Sequence, residues 1–309
     1  MLPEKRVIIR EVSLRDGLQS EKEFVQTNIK LEVIRALAQA GVEYFETTSF
    51  VSPKAIPQLR DAADLMAHVE RGNLKHEVLI PNLKGAQRAL EAKADRLIVV
   101  VSASEAHNKA NVRRSIADSL EELQGIFELA KTNNVPVAGV ISVAFGCPFE
   151  GRVPRENVLN IAQHFIEKGA DRISLADTTG LANPSQVEDM VSCFKNHFPD
   201  TLLCLHFHNN RGVAMANLYA GYLAGVRMFD TALGGIGGCP NVPQAAGNLA
   251  TEDVVFMFQE MGIQTGIDLV KLIKAAKRLE KVLKHTLPGQ VMKSGPSDPQ
   301  LARQLCGIT

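Results

Sequence analysis

Residues 156–180 read ENVLNIAQHFIEKGADRISLADTTG, a helical pattern followed at once by a strand pattern. Apolar residues in the first half recur three or four positions apart, as on the buried face of a helix. Gly169 stands where a helix commonly ends in the left-handed conformation. The second half is a short apolar run that stops at the polar residue Asp177. A helix that leads directly into a buried strand is the repeating unit of α/β folds.

The same alternation extends along most of the chain, and Gly41 and Gly225 end predicted helices as Gly169 does. The predicted strands lie in RVIIREVSL, YFETTSF, HEVLIPN, DRLIVVVSAS, VPVAGVISVAF, DRISLADTTG, LLCLHFH and MFDTALGG. Eight such units in about 260 residues match a TIM (β/α)8 barrel, whereas a doubly wound open sheet would have fewer strands and a switch point. We therefore predict one α/β barrel domain over residues 1–285, with a C-terminal helical extension at 251–282. Residues 286–309 are expected to form a polar C-terminal tail that is loosely ordered at its end.

The composition excludes several classes of function. The 309 residues include 34 basic and 34 acidic side chains, so net charge gives no argument for binding nucleic acid or an anionic membrane. The sequence has neither an apolar run of about 18 residues nor, at its start, the pattern of a secretory signal. Five cysteines without a CxxC pair argue against a disulfide framework or a structural zinc, and a cytoplasmic location is expected.

Polar residues follow or end most of the predicted strands. Because the active site of a TIM barrel lies at the carboxyl ends of its strands, these residues are the candidates for function. They are Arg15, Asp16, Glu46, Asn82, Ser102, Ser104, Ser142, Asp177, His206, His208 and Cys239.

Two histidines stand one residue apart at the end of the seventh strand. Side chains alternate along a strand, so His206 and His208 face the same side, and in a barrel that side is the mouth. Asp16 from the first strand would reach the same place. Two neutral imidazoles and one carboxylate form a divalent-metal site with open positions. An oxygen ligand such as Asn248 favours Mg²⁺ or Mn²⁺, while the two nitrogens leave Zn²⁺ and Co²⁺ open.

Each charged candidate could have a structural role instead of a role in function. Arg15 and Asp16 could form a surface ion pair, but Gly17 would permit a turn that brings both head groups over the mouth. Arg15 would then suit an oxyanion. Glu46 would be costly inside a strand unless it is paired, for example with Arg15. Asp177 could act in catalysis or form a turn.

Cys239 lies in the glycine-rich stretch GGIGGCPNVPQAAGN. Most free cysteines are small buried residues, but a glycine-rich loop can close over a site. The stretch lacks the third glycine of a dinucleotide fingerprint. Cys147, in AFGCPFEG, is interpreted as structural.

Several long motifs resemble those of the 3-hydroxy-3-methylglutaryl-CoA lyase family, a group of metal-dependent lyase and synthase barrels. The resemblance covers about residues 5–285. It rests on EVSLRDGLQSEK, FETTSFVSPKAIPQ, LIPNLKG, GCPFEG, LADTTG, HFH, GGIGGCP and GNLATED.

The resemblance implies a reaction, a cofactor and a set of site residues. It implies cleavage of 3-hydroxy-3-methylglutaryl-CoA to acetyl-CoA and acetoacetate, with coenzyme A as part of the substrate. It also implies a homodimer or another homo-oligomer, and leucine breakdown is one pathway that needs such an enzyme. The divalent cation, Mg²⁺ or Mn²⁺, would be bound by Asp16, His206, His208 and Asn248. Arg15 would stabilise the enolate, Cys239 and His206 would transfer protons, Glu46 and Asp177 match active-site positions, and Lys22 matches a lysine near the coenzyme A path.

Two departures from the family pattern border the acyl end of the substrate. Asn209-Asn210 stands where the lyases carry Asp-Thr, and residues 241–244 replace an aromatic residue and a run of small ones. A related branched 3-hydroxyacyl-CoA or 3-hydroxy acid therefore stays open as the substrate. The alternative functions are a Claisen synthase of the isopropylmalate or homocitrate type, a 4-hydroxy-2-oxoacid aldolase, and a non-catalytic binding barrel.

Overall fold

A computed structural model describes residues 5–237 and 247–307. Its eight strands form one closed sheet in chain order, and the fold is the predicted TIM barrel. The strand pairs with a defined register, β1 with β2 and β3 to β7 in succession, are parallel. The strands are β1 Ile8–Glu11, β2 Tyr44–Ser49, β3 Lys75–Leu79, β4 Arg96–Ser102, β5 Val137–Ser142, β6 Ala170–Asp177, β7 Leu202–Phe207 and β8 Met228–Thr231.

Helices connect the strands and continue after the last one. They are α1 Thr27–Ala40, α2 Ala62–His68, α3 Leu83–Glu91, α4 Glu105–Val112, α5 Ile116–Thr132, α6 Arg155–Glu167, α7 Pro184–His197, α8 Ala214–Leu223, α9 Thr251–Glu260, α10 Leu269–Leu283, α11 Val291–Ser294 and α12 Pro299–Cys306. Short 3-10 turns lie at Leu18–Ser20, Pro57–Leu59 and Leu233–Gly235. None of the described helices is long and apolar enough to cross a membrane.

The chain divides into two compact units, and each contains its own cluster of buried charges. One unit takes its described residues from 1–48, 52–76 and 230–309, the other from 49–51 and 77–229. In the first, Arg10 forms ion pairs with Asp230 and Glu46. In the second, Arg172 forms an ion pair with Glu77, and both side chains are fully buried. Buried charges are tolerated when they are paired in this way.

Glycines end three of the helices that precede strands, as predicted. Gly41, Gly169 and Gly225 have φ angles of 102°, 99° and 93°, which place them in the left-handed region that costs other residues free energy. These positions fix where each chain segment leaves its helix and enters the sheet.

The C-terminal region is more ordered than the sequence indicated. The predicted extension at 251–282 is present as α9 and α10. The expectation of a loosely ordered tail is wrong for its described part, because Leu287 and Met292 are buried and α11 and α12 follow. Helix α11 packs against α9 and α10, and the polar average composition of this segment does not reveal that contact. The domain boundary at residue 285 stays a proposal.

Candidate active site

The chain leaves β1 through a tight turn that presents two adjacent charged residues. Residues Ser13–Gly17 form a single π-helical turn, in which the N–H groups of Asp16 and Gly17 donate to the carbonyl of Val12. The turn brings the head groups of Arg15 and Asp16 together, with Arg15 Nη1 donating to Asp16 Oδ1 over 2.6 Å. Gly17 was expected to permit this turn. It does so because a Cβ there would lie 2.5 Å from Ile236, and not through a positive φ.

Glu46 is paired, as its burial requires. The carboxylate, 1% exposed, accepts a hydrogen bond from Arg15 Nε and forms a 3.0 Å ion pair with Arg10. Burial works to lower the pKa of Arg15, but the carboxylates of Glu46 and Asp16 outweigh it and raise that pKa. Arg15 therefore carries a fixed positive charge at the end of β1. The structural role predicted for Glu46 is confirmed, and a catalytic role stays a prediction.

Asn248 and Asp16 lie in contact although 232 residues separate them. The amide Nδ2 of Asn248 donates to Asp16 Oδ2 over 2.8 Å and to the carbonyl of Ile236 over 3.0 Å. Asn248 is 3% exposed, and its Oδ1 has no hydrogen-bond partner among the described residues. A buried carbonyl oxygen in that state is costly unless it binds a ligand.

The two histidines of the HFH motif present one nitrogen each to the same point. Both are buried, and His206 Nε2 lies 3.0 Å from His208 Nε2. Strand parity explains the common direction, as predicted from the sequence. Two imidazole nitrogens that converge in this way can share a proton or bind one metal ion.

Asp16, His206 and His208 form the one group of at least three potential metal ligands found among the described residues. One ligand atom from each lies within 4.8 Å of the others. With the unpartnered Oδ1 of Asn248 beside Asp16, the donor set has two nitrogens and two oxygens. This set fits a divalent cation with positions left for substrate. The convergence predicted from the strand ends is therefore present.

Asp177 forms a turn at the end of β6. Its two carboxylate oxygens accept the N–H groups of Leu181 and Ala182 over 2.8 and 3.1 Å. Burial raises the pKa of Asp177, while these two N–H groups and the nearby His208 and Arg211 lower it. The turn, which was the structural alternative for this residue, is present, and a catalytic role stays a prediction.

The remaining candidates are less constrained by the structure. Lys22 is exposed on the bend before α1. Asn209 accepts the N–H of Ala214, whereas both polar atoms of the Asn210 amide are buried with no hydrogen-bond partner among the described residues. Cys239 and the departures at 241–244 lie outside the described residues. Cys147 is a free, buried cysteine, in line with the structural role predicted for it.

Two titratable side chains, His107 and Glu252, were not singled out from the sequence. His107, in the short helix α4, lies 2.7 Å from Ser102 Oγ, which in turn lies 2.9 Å from Ser142 Oγ. Glu252, in the first turn of α9, is fully buried, and its pKa is raised to about 8, chiefly by burial. A histidine five residues after a strand end was the signal for the first group, and the acidic pair Glu252-Asp253 after GNLAT was the signal for the second.

The fold and these side chains define a class of protein: a (β/α)8 barrel with a candidate divalent-metal site at the carboxyl ends of its strands. The family model described as HMGL-like matches residues 6–279. The chain belongs to this family.

Relatives and solved structures of similar length support this assignment to the family. The chain is 41% identical to hydroxymethylglutaryl-CoA lyase of Bacillus subtilis, over 94% of this chain and 98% of that protein. It is 40% identical to (R)-citramalyl-CoA lyase of Chloroflexus aurantiacus, over 96% of each. It is also similar to the structure of an HMG-CoA lyase from Acinetobacter baumannii in complex with coenzyme A and 3-methylmalate, at 43% identity and a TM-score of 0.92, over 97% of this chain and 98% of that one.

Proposed function

We propose that the protein is a metal-dependent carbon–carbon lyase that cleaves 3-hydroxy-3-methylglutaryl-CoA to acetyl-CoA and acetoacetate. The observation that carries the proposal is the convergence of Asp16, His206 and His208. Arg15 lies in direct contact with Asp16, so a fixed positive charge stands beside the three candidate ligands. The similarity to lyases that act on 3-hydroxyacyl-CoA thioesters supports this substrate class.

The reaction breaks the C2–C3 bond of the substrate. The C3 hydroxyl loses its proton, its oxygen becomes the ketone of acetoacetate, and the bond electrons pass to C2 as a thioester enolate, which is then protonated to acetyl-CoA. A divalent cation, Mg²⁺ or Mn²⁺ by our proposal, would be held by Asp16, His206, His208 and Asn248 and would supply Lewis-acid polarisation of the hydroxyl.

The protein's own side chains supply the remaining chemistry of the proposal. His206 is proposed to share in the transfer of the hydroxyl proton, because it lies with His208 at the candidate metal site. Arg15 holds the charge that develops on the thioester oxygen, a role suited to a guanidinium fixed by Glu46 and Asp16. Cys239 is proposed to protonate C2 of the enolate. Lys22 is proposed to contact coenzyme A, and the homodimer and the cytoplasmic location stay predictions.

A second substrate is favoured by the relatives. Citramalyl-CoA has the same C3 hydroxyl and thioester, and its cleavage would yield pyruvate and acetyl-CoA. Steady-state assays with both thioesters and Mg²⁺, in which acetoacetate and pyruvate are quantified separately, distinguish the two. Turnover that yields acetoacetate supports the proposal. If only citramalyl-CoA is turned over, the protein cleaves the same type of bond in a different substrate. If neither thioester is turned over, the proposal is refuted.

A further inference from the structure

The C-terminal extension of the barrel contacts the loop that carries Lys22. His285 is the second residue after α10, and its Nε2 lies 2.9 Å from Glu21 Oε2. Glu21 ends the 3-10 turn Leu18–Ser20 and directly precedes Lys22. Both partners belong to the same compact unit. A contact between residues 264 positions apart in the sequence therefore joins the end of α10 to the loop after β1.

His285 is held in place independently of this contact. Lys284 ends α10 in the left-handed conformation, with a φ angle of 59°. Two residues after the histidine, Leu287 is fully buried and donates its N–H to Glu280 Oε2 over 2.9 Å. The chain is fixed on both sides of His285, so a substitution of the imidazole leaves the path of the extension unchanged.

Both ring nitrogens of His285 face a hydrogen-bond acceptor. Nε2 faces the Glu21 carboxylate, and Nδ1 lies 3.3 Å from the carbonyl oxygen of Thr286. A neutral imidazole has one N–H and can satisfy one of these acceptors, whereas the imidazolium has two and satisfies both. Burial works to lower the pKa of His285, but the hydrogen bonds to Glu21 and Thr286 and the negative charges of Glu21 and Glu280 outweigh it and raise that pKa.

The proton on His285 controls the strength of the contact. The titratable groups that act on the ring are Glu21 from the loop after β1 and Glu280 from α10, and the cations next to the pair in sequence, Lys22 and Lys284, are exposed. Because the pKa is raised in the folded protein, the ion pair is present on the acid side and is lost as pH rises through that pKa. The side chains of His285 and Glu21 are 48% and 15% exposed, and such a pair changes an equilibrium constant by no more than about fivefold.

The loop is held on both sides of Lys22. Before it, the carbonyl oxygen of Glu21 accepts a hydrogen bond from Gln58 Nε2 over 2.6 Å. After it, the guanidinium carbon of Arg60 lies 3.6 Å from the centroid of the Phe24 ring. Lys22 itself is exposed on the bend between these two anchors, so its ammonium group can reach a ligand while its backbone stays in place.

We infer that His285 is a positioning residue, whose imidazolium holds the Glu21 carboxylate and so fixes Lys22 for contact with coenzyme A. The inference rests on the proposed function, which assigns Lys22 to that contact. An ordered lysine binds an anionic ligand at a lower entropic cost than one on a loose bend. Affinity for a coenzyme A thioester should therefore fall as the imidazolium loses its proton, and the C-terminal extension thereby contributes to substrate binding.

Binding of 3-methylglutaryl-CoA to the full-length protein tests this assignment. The probe lacks the C3 hydroxyl that cleavage requires, and isothermal titration with Mg²⁺ at about pH 6 and about pH 8.5 gives its dissociation constant. The ratio of a variant to the unsubstituted protein at one pH cancels the titration of the probe itself. We expect His285→Gln to bind about threefold to fivefold more weakly at pH 6 and about equally at pH 8.5. His285→Arg keeps its charge at both pH values, so it should match the unsubstituted protein at pH 6 and bind more tightly at pH 8.5.

A double substitution separates the positioning of Lys22 from a direct contact between His285 and the ligand. In the Lys22→Ala background, the further change His285→Gln should have no effect on the dissociation constant. His68→Gln is the matched control, because His68 lies 3.3 Å from Asp64 in an exposed pair on α2. An unaltered dissociation constant in His285→Gln at pH 6, or the same loss with and without Lys22, overturns the inference and leaves the proposed function standing. Absence of probe binding by the unsubstituted protein would refute both.

Discussion

Replacement of Glu252 by glutamine should make the free energy of unfolding less sensitive to rising pH. Glu252 is fully buried, and one of its oxygens accepts the N–H of Gly234 over 3.0 Å. The other oxygen has no hydrogen-bond partner among the described residues. Burial, with smaller contributions from the carboxylates of Asp253 and Glu11, raises the pKa of Glu252 to about 8. The side chain is therefore neutral at pH 7 and resembles glutamine in shape and charge.

The sign of the effect follows from proton binding. Below pH 4.5 the side chain is protonated in both the folded and the unfolded protein, so it has no pH-dependent effect. Between pH 4.5 and about 8 the folded protein holds a proton that the unfolded chain has lost, and the free energy of unfolding falls as pH rises. At about 1.4 kcal/mol per pH unit, this amounts to about 5 kcal/mol over the whole window and about 3 to 4 kcal/mol between pH 5 and pH 8.

Urea unfolding at several pH values measures this difference. The free energy of unfolding of Glu252→Gln, minus that of the unsubstituted protein, should increase by about 3 to 4 kcal/mol from pH 5 to pH 8. Glu260→Gln, exposed at the end of the same helix, is the control and should show no such increase. A difference for Glu252→Gln that stays constant with pH would show that the folded protein holds this carboxyl ionised, contrary to the raised pKa.

Three further substitutions test separate parts of the account. Arg15→Met should fold and keep its affinity for Mn²⁺ but lose about a hundred- to a thousandfold in kcat, as when one oxyanion donor is removed; near-normal turnover would exclude that role. Cys239→Ser should leave Mn²⁺ affinity unchanged and slow turnover, and a rate equal to that of the unsubstituted protein would remove Cys239 from proton transfer. Glu77→Ala leaves the buried Arg172 without its ion-pair partner and should cost about 3 to 5 kcal/mol in urea unfolding; a cost below about 1 kcal/mol would contradict the buried pairing.

The fold could be predicted from local patterns because each unit of the barrel repeats them. Gly41, Gly169 and Gly225 mark helix ends by a backbone property that belongs to glycine itself. A turn after β1 was expected from Gly17, but its exact geometry could not be predicted. Its geometry depends on the carbonyl of Val12 and on close approach to Ile236, more than 200 residues away. Helix α4 was missed because it is short and its start rests on the cap formed by Ser104.

In the candidate site, too, some features could be predicted from local sequence and others depend on contacts between distant residues. The common direction of His206 and His208 follows from strand parity, and the need of Glu46 for a partner follows from the cost of a buried charge. The contact between Asp16 and Asn248 does not follow from spacing, although Asn248 was named as an oxygen ligand of the same site. Ser102 and Ser142 were visible as strand-end polar residues, but their link to His107 depends on the path of the chain after β4.

The proposed mechanism requires that Asp16, His206 and His208 hold a divalent cation on which cleavage depends. The most direct test is to strip the protein of metal, measure acetoacetate formation from 3-hydroxy-3-methylglutaryl-CoA as Mn²⁺ or Mg²⁺ is added back, and measure bound Mn²⁺ in the unsubstituted protein and in His208→Ala. Cleavage should appear only with added metal, and His208→Ala should lose both bound Mn²⁺ and cleavage. Equal cleavage without metal, or full Mn²⁺ binding in His208→Ala, would exclude the proposed metal site.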